Sequence, residues 1–257
     1  MRFTRAIVRP PAATFAAGIT SSSLGPPDLA LALEQHDAYC GTLERLGLSL
    51  IRLAPDPGFP DSTFVEDAAI VTTAGAMLTR PGAASRAGEV VGLGAAIGEW
   101  FPAPAEITAP GTLDGGDACE AGPHFFIGLS RRTNAEGAAQ LAEWLTRHGF
   151  STSVIDIRAM PGVLHLKTGL SWLGGRRLLA AGEFVGHDAL KGWEIVPVPT
   201  GEDYAANCIR VNDALLVAQG FPATAALLGE LGYHLAPLEM SEYRKMDGSL
   251  SCLSVRW

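Results

Sequence analysis

The chain has 257 residues, 47% of them hydrophobic and 18% charged, with a formal net charge of −8 at pH 7. That composition fills a buried core and argues against a disordered or coiled-coil protein. The acidic balance argues against a nucleic-acid partner, whose phosphates need a basic face, and weakly favours a cationic small molecule. Cys40, Cys119, Cys208 and Cys252 are widely spaced with no CxxC pair, which suits free thiols in a reducing compartment. Arg2, Arg5 and Arg9 stud the first residues and Pro10-Pro11 breaks them, so no apolar signal region is expected there. No stretch is long and apolar enough for a membrane span. A cytoplasmic protein with no membrane partner is expected.

Along the chain, apolar spacing and end signals predict helices over Pro27–Leu46, Ser85–Trp100, Asn134–Gly149, a short His187–Gly192, and Pro222–Gly232. Each precedes a strand-like run: LSLIRLA, AEITAP, STSVIDIR, WEIVPVP and YHLAPLEM. A polar loop then leads to two further apolar runs, such as DAAIVTT with AMLTRPG or DACEAG with HFFIGLS. The fifth pair is split, because CLSVRW at the C-terminus needs FTRAIVRP at the N-terminus. Asp67, Asp117, Leu170, Cys208 and Cys252 are read as equivalent strand starts, recurring every ~40–50 residues. A unit of that size, repeated, predicts α/β modules stacked around an axis and closed by the two terminal strands. An ordinary doubly wound sheet alternates similarly, but here every unit repeats helix, strand, loop and two strands. No linker interrupts the pattern, so one domain over residues 1–257 is expected.

Such a ring would bring the five polar loops to one end. They carry the residues suited to chemistry. Cys252, in DGSLSC, is either a packing residue at a strand start or a nucleophile. Asp61, Glu66 and Asp67 are either solvated loop charges or carboxylates that grip a planar cation. His165, between leucines, is either a satisfied core histidine or a general acid/base, and Asp114 beside Gly115-Gly116 is its natural orienting partner. Arg86 and Arg132 open or close helical turns and read as surface arginines or anion contacts. No GxGxxG, P-loop or HExxH pattern is present, so no nucleotide, metal or other cofactor is expected.

Seven motifs, in order, carry a resemblance over nearly the whole chain: FPDSTFVEDAAIV, LTRPGAASR, TLDGGD, FFIGLSRRTN, LHLKTG, AANCI and DGSLSC. The chain resembles the dimethylarginine dimethylaminohydrolases of the guanidine-modifying pentein superfamily. The resemblance implies a five-bladed α/β propeller of ββαβ-type units, in agreement with the repeat. It implies Cys252 as nucleophile, His165 as general acid/base, and Asp114 as the residue orienting His165. Asp67 with Glu66 would hold the guanidinium, Asp61 the α-amino group, and Arg86 and Arg132 the α-carboxylate. Ile19 and the backbone of Met246 would line the substrate. The implied reaction is hydrolysis of dimethyl- or monomethylarginine to citrulline through a thiouronium, without a cofactor, in a monomer or homodimer. An arginine deiminase on the same fold and a non-catalytic propeller are the alternatives.

Overall fold

The computed structural model describes residues 2–257. Among them, short strands form five three-stranded sheets of one design. β1 (Arg5–Val8) runs parallel to β2 (Ser49–Arg52), which follows the helix Leu29–Arg45. β3 (Ala69–Thr72) and β4 (Gly75–Leu78) make an antiparallel hairpin, and β5 (Ala105–Glu106) returns parallel to β4 after the helix Glu89–Gly98. The third sheet repeats this with β6 (Ala118–Ala121), β7 (His124–Leu129) and β8 (Ser151–Asp156), the last following the helix Ala135–Arg147. β9 (Leu170–Gly174), β10 (Arg177–Ala180) and β11 (Glu194–Pro197) form the fourth. β12 (Ile209–Val211), β13 (Ala214–Ala218) and β14 (His234–Leu238), with the helix Pro222–Glu230, form the fifth. β15 (Val255–Arg256) pairs antiparallel with β1, at Ala6↔Arg256 and Ile7↔Val255, and completes the sheet that the N-terminus began.

The twofold alternation of strand side chains closes these sheets into a ring. Ala6 and Val8 of β1 face a cluster shared with Val211, Leu216 and Tyr39, whereas Ile7 faces one shared with Ala69, Leu78 and Ile97. On the next sheet Ile70 and Met77 point the other way, toward Phe125, Ile127 and Leu141. Phe126 then meets Leu178 and Phe184, and Leu179 meets Leu215 and Leu228. Each cluster therefore joins two neighbouring sheets and one crossover, and the fifth returns to the first. The fold is the five-bladed α/β propeller of the penteins.

Side-chain caps start two of the helices: Asp28 accepts from the Leu31 N–H and Asn134 from the Gly137 N–H. Two expectations are corrected. The helix expected over Ser85–Trp100 is a short turn at Ala84–Arg86 followed by Glu89–Gly98. The break falls at Gly88, where a Cβ would come within 2.2 Å of the Phe59 ring. The helix expected over His187–Gly192 is absent, replaced by single turns at Gly182–Phe184 and Asp188–Leu190. Gly182, Gly186 and Gly192 all have positive φ, and the pieces between them are too short to sustain an α-helix. No helix among the described residues is long and apolar enough to cross a membrane.

Closure depends on three terminal residues. Val255 is buried in the cluster that Ile7 faces, and Trp257 packs on Phe101 at 5.6 Å between ring centroids. Deleting Val255–Trp257 is expected to lower the melting temperature by about 10–20 °C or to yield aggregate. Thermal melts of the two chains check this, and a truncated chain melting within a few degrees of the full one contradicts it.

Candidate active site

A one-turn helical segment precedes each hairpin: Val65–Ala68, Gly115–Asp117, Leu166–Gly169, Asp203–Ala206 and Leu250–Leu253. These turns pack against one another around the axis. Leu170 begins a strand as expected, but Asp67, Asp117 and Cys252 sit inside the turns, and Cys208 lies one residue before β12. The reason is geometric. A strand residue must alternate into one of the two flanking clusters, whereas a turn residue is free to project across the axis.

His165 caps the turn Leu166–Gly169 and is 7% exposed. Its Nε2 lies 3.0 Å from Oδ2 of Asp114, which is fully buried and also accepts from the Gly82 N–H at 2.8 Å. On its other side Nδ1 is 4.0 Å from Oδ1 of Asp67. Gly116 makes this approach possible. Its N–H donates to Asp67 Oδ1 at 3.0 Å, and a Cβ there would come within 2.7 Å of the imidazole. Asp117, read from sequence only as a strand start, anchors the same turn: it accepts from the Leu166 N–H and from the Ser130 and Thr133 hydroxyls.

Arg86 is buried and nearly saturated. It donates to both Glu89 oxygens, to Asp67 Oδ2 at 2.6 Å, and to the Asp61 and Phe64 carbonyls. Arg132 is freer, with a 3.6 Å approach of Nη1 to Asp114. Both carboxylate oxygens of Asp61 accept the Ile19 N–H at 3.1 Å, so Ile19 lies over the mouth. Ile19, Asp61, Asp67, Arg86, Arg132, His165, Met246 and Cys252 line one cavity of about 20 Å³, room for about one water. Asp114 stands behind His165 and does not reach that cavity.

Glu66 departs from the expectation that it faces a substrate beside Asp67. Its carboxylate points to the far side of the turn, 2.6 Å from Lys167 Nζ, and accepts from the Ser251 hydroxyl at 2.7 Å. Adjacent residues in a helical turn diverge by roughly 100–120°, so Asp67 and Glu66 cannot share one pocket. Glu66 and Lys167 instead line a second cavity of about 320 Å³ along the axis. Glu89, Lys167, Asn207 and Ser251 were not singled out by sequence; each lies in a motif-bearing loop or helix start, but the partners they meet are distant in the chain.

The charges set one another's ionisation. Burial works against charging His165, but Asp67, the Asp114 hydrogen bond and Asp117 outweigh it and raise its pKa to about 9. Asp67 is opposed by burial yet held well below the usual carboxylate range by His165 and Arg86. Burial, then Glu66 and Asp67, push the Cys252 thiol up to about 12. At pH 7 the resting pair is an imidazolium beside a neutral thiol. Asp67, Asp114 and His165 also place three metal-type ligand atoms within 4.8 Å of one another, but Arg86, the Gly116 and Gly82 N–H groups and the shared proton already engage them.

No family model matches the chain. It is 46% identical over 256 residues to the dimethylarginine dimethylaminohydrolase of Pseudomonas aeruginosa, covering 99% of this chain and all of that one. The chain belongs to the dimethylarginine dimethylaminohydrolase family. Among solved structures, a cysteine-to-serine variant of the P. aeruginosa family member with citrulline superposes with a TM-score of 0.96, at 45% identity and 100% coverage of both chains. A histidine-to-glycine dimethylarginine dimethylaminohydrolase, as an adduct with S-methyl-L-thiocitrulline, gives 0.95 at 45% identity, covering 99% of this chain and 100% of that one.

The thiol's raised pKa has a direct consequence for this family member. Alkylation of Cys252 by iodoacetamide, followed by peptide mass spectrometry, should be slow at pH 7 and keep rising beyond pH 9, because thiolate forms only as the pH approaches the raised value. A rate that levels off below pH 8 contradicts the electrostatics described.

Proposed function

We propose that this chain is a single catalytic domain that hydrolyses Nω,Nω-dimethyl-L-arginine and Nω-monomethyl-L-arginine to L-citrulline and the methylated amine. The observation that carries this reading is the meeting of Cys252, His165 and Asp67 at one cavity of a family member, with Asp114 bonded to His165 from behind. Asp67, ionised and aimed into the cavity, suits the substrate guanidinium. The Ile19 N–H occupies both oxygens of Asp61, as a substrate ammonium would once the loop lifts. Arg132, with donors to spare, is the better candidate for the α-carboxylate, and Arg86 contributes its positive field and one free N–H. Glu66 supports the floor rather than the substrate. Citrulline bound to the P. aeruginosa relative, and the S-methyl-L-thiocitrulline adduct of the histidine-to-glycine dimethylarginine dimethylaminohydrolase, favour the same reaction class.

A guanidinium carbon is a weak electrophile, so fixed geometry and a strong nucleophile are both needed. The bound cation offsets the Glu66 and Asp67 fields at sulfur and favours the thiolate, the thiol proton leaving to solvent because His165 is already protonated. Sγ attacks the guanidinium carbon, forming a C–S bond and a tetrahedral adduct. Protonated His165 gives its proton to the dimethylamine nitrogen as that C–N bond breaks, leaving a cationic thiouronium. Neutral His165 then takes a proton from water, whose oxygen attacks the same carbon. The C–S bond breaks, the ureido group of citrulline forms, and Cys252 and His165 are restored.

Citrulline release from methylarginines tests the reading. Cys252→Ser should lower kcat by at least ~10³-fold, and retained turnover would refute nucleophilic catalysis. Arg132→Ala should raise KM about tenfold or more with a smaller change in kcat, since a carboxylate contact is made equally in the ground and transition states.

A further inference from the structure

We propose that Asn207 is a positioning residue that ties the turn carrying Cys252 to the turn carrying His165; this rests on the reaction proposed above. Asn207 ends the helical turn Asp203–Ala206 and is 4% exposed. Its side-chain hydrogen bonds go to those two turns. Oδ1 accepts the Ser251 N–H at 3.0 Å, one residue before Cys252. Nδ2 donates to the Lys167 carbonyl at 2.9 Å, two residues after His165, and to the Ser251 hydroxyl at 3.0 Å. The hydroxyl in turn donates a hydrogen bond to Glu66 Oε2, and Lys167 Nζ closes the circuit on Glu66 Oε1. One amide thus links turns from the third, fourth and fifth hairpins, and Glu66 adds the first.

The residue type fits the task. An amide alone among short side chains supplies an acceptor and two donors on one rigid plane, and this site uses all three functions. The Cys252 backbone is otherwise tied by its N–H to the Ser249 carbonyl at 3.2 Å, within its own turn. That bond shapes the turn but does not place it relative to His165. Attack and proton delivery act on the same guanidinium from two separate turns, so their mutual position enters the rate directly, and an error near 1 Å costs on the order of 10²-fold. Asn207 touches no reacting atom.

The experiment measures citrulline release, melting temperature and Cys252 alkylation by iodoacetamide for the full chain, Asn207→Ala and Asn207→Asp. Absence of turnover in the unaltered chain refutes the reaction itself and is distinguishable from any effect of the variants. With turnover present, Asn207→Ala should lose about 10²-fold in kcat and Asn207→Asp, which keeps the acceptor but neither donor, about tenfold. KM for methylarginine and the alkylation rate should stay within about threefold, because a small reagent needs no aligned histidine. A merely structural role predicts lower melting temperatures with unchanged kcat per folded molecule. That result, or a kcat loss below threefold in Asn207→Asp, overturns the proposal; Asn207→Asp, nearly isosteric, decides alone if Asn207→Ala does not fold.

Discussion

The charges that the five turns bring toward the axis sit on side chains largely withdrawn from solvent, and they are matched there. Asp67 lies between Arg86 and His165, Asp114 between His165 and Arg132, and Glu66 against Lys167. Removing one member of such a buried pair strands its partner at a cost of about 3–5 kcal/mol, far beyond a surface ion pair. The ring is therefore held at its centre by electrostatics and around its circumference by apolar clusters. The two are not separable. The glycines that let backbone approach the centre, Gly115 and Gly116, would clash with Glu66 and His165 if they carried a Cβ.

The same matching separates what moves from what stays. The catalytic cavity, at about 20 Å³, is too small for an arginine derivative, so some part must yield before substrate enters. The loop at Ile19 is fastened by backbone and hydroxyl bonds: Ile19 N–H to Asp61, Thr20 to the Lys245 carbonyl, and Ser21 to Asp247. Most of these are exposed to water, and each contributes about 1 kcal/mol net. The pairs on the axis cost several times more to break. The loop is therefore the weaker of the two fastenings, and the turns around the axis are the stronger.

The architecture was legible from sequence because it rests on local periodicity, repeated five times. Apolar alternation and the split pairing of CLSVRW with FTRAIVRP need no knowledge of distant contacts, and the structure pairs Ile7 with Val255 accordingly. The motifs likewise led to the residues that line the cavity. Legibility failed where one residue of a turn separates two faces. Glu66 and Asp67 are adjacent in sequence and look equivalent, yet only Asp67 faces the cavity; nothing local distinguishes them. Asn207 carries no local signal either, since its partners Lys167 and Ser251 lie 40 and 44 residues away. The short helix expected near His187 failed differently, because three glycines with positive φ override a weak apolar pattern.

One arrangement connects the electrostatics to selectivity. Asp67 raises the pKa of His165, and it adds to burial and Glu66 in raising that of Cys252, so a neutral thiol stands beside an imidazolium. In that state sulfur is a poor nucleophile while the imidazole already carries its proton. A guanidinium beside Asp67 would offset that carboxylate's share of the field at sulfur, and its own positive charge would act against the Glu66 share as well. An uncharged amide or urea brings no such cancellation. A cation beside Asp67 would therefore lift only part of what keeps Cys252 protonated, burial and Glu66 supplying the rest.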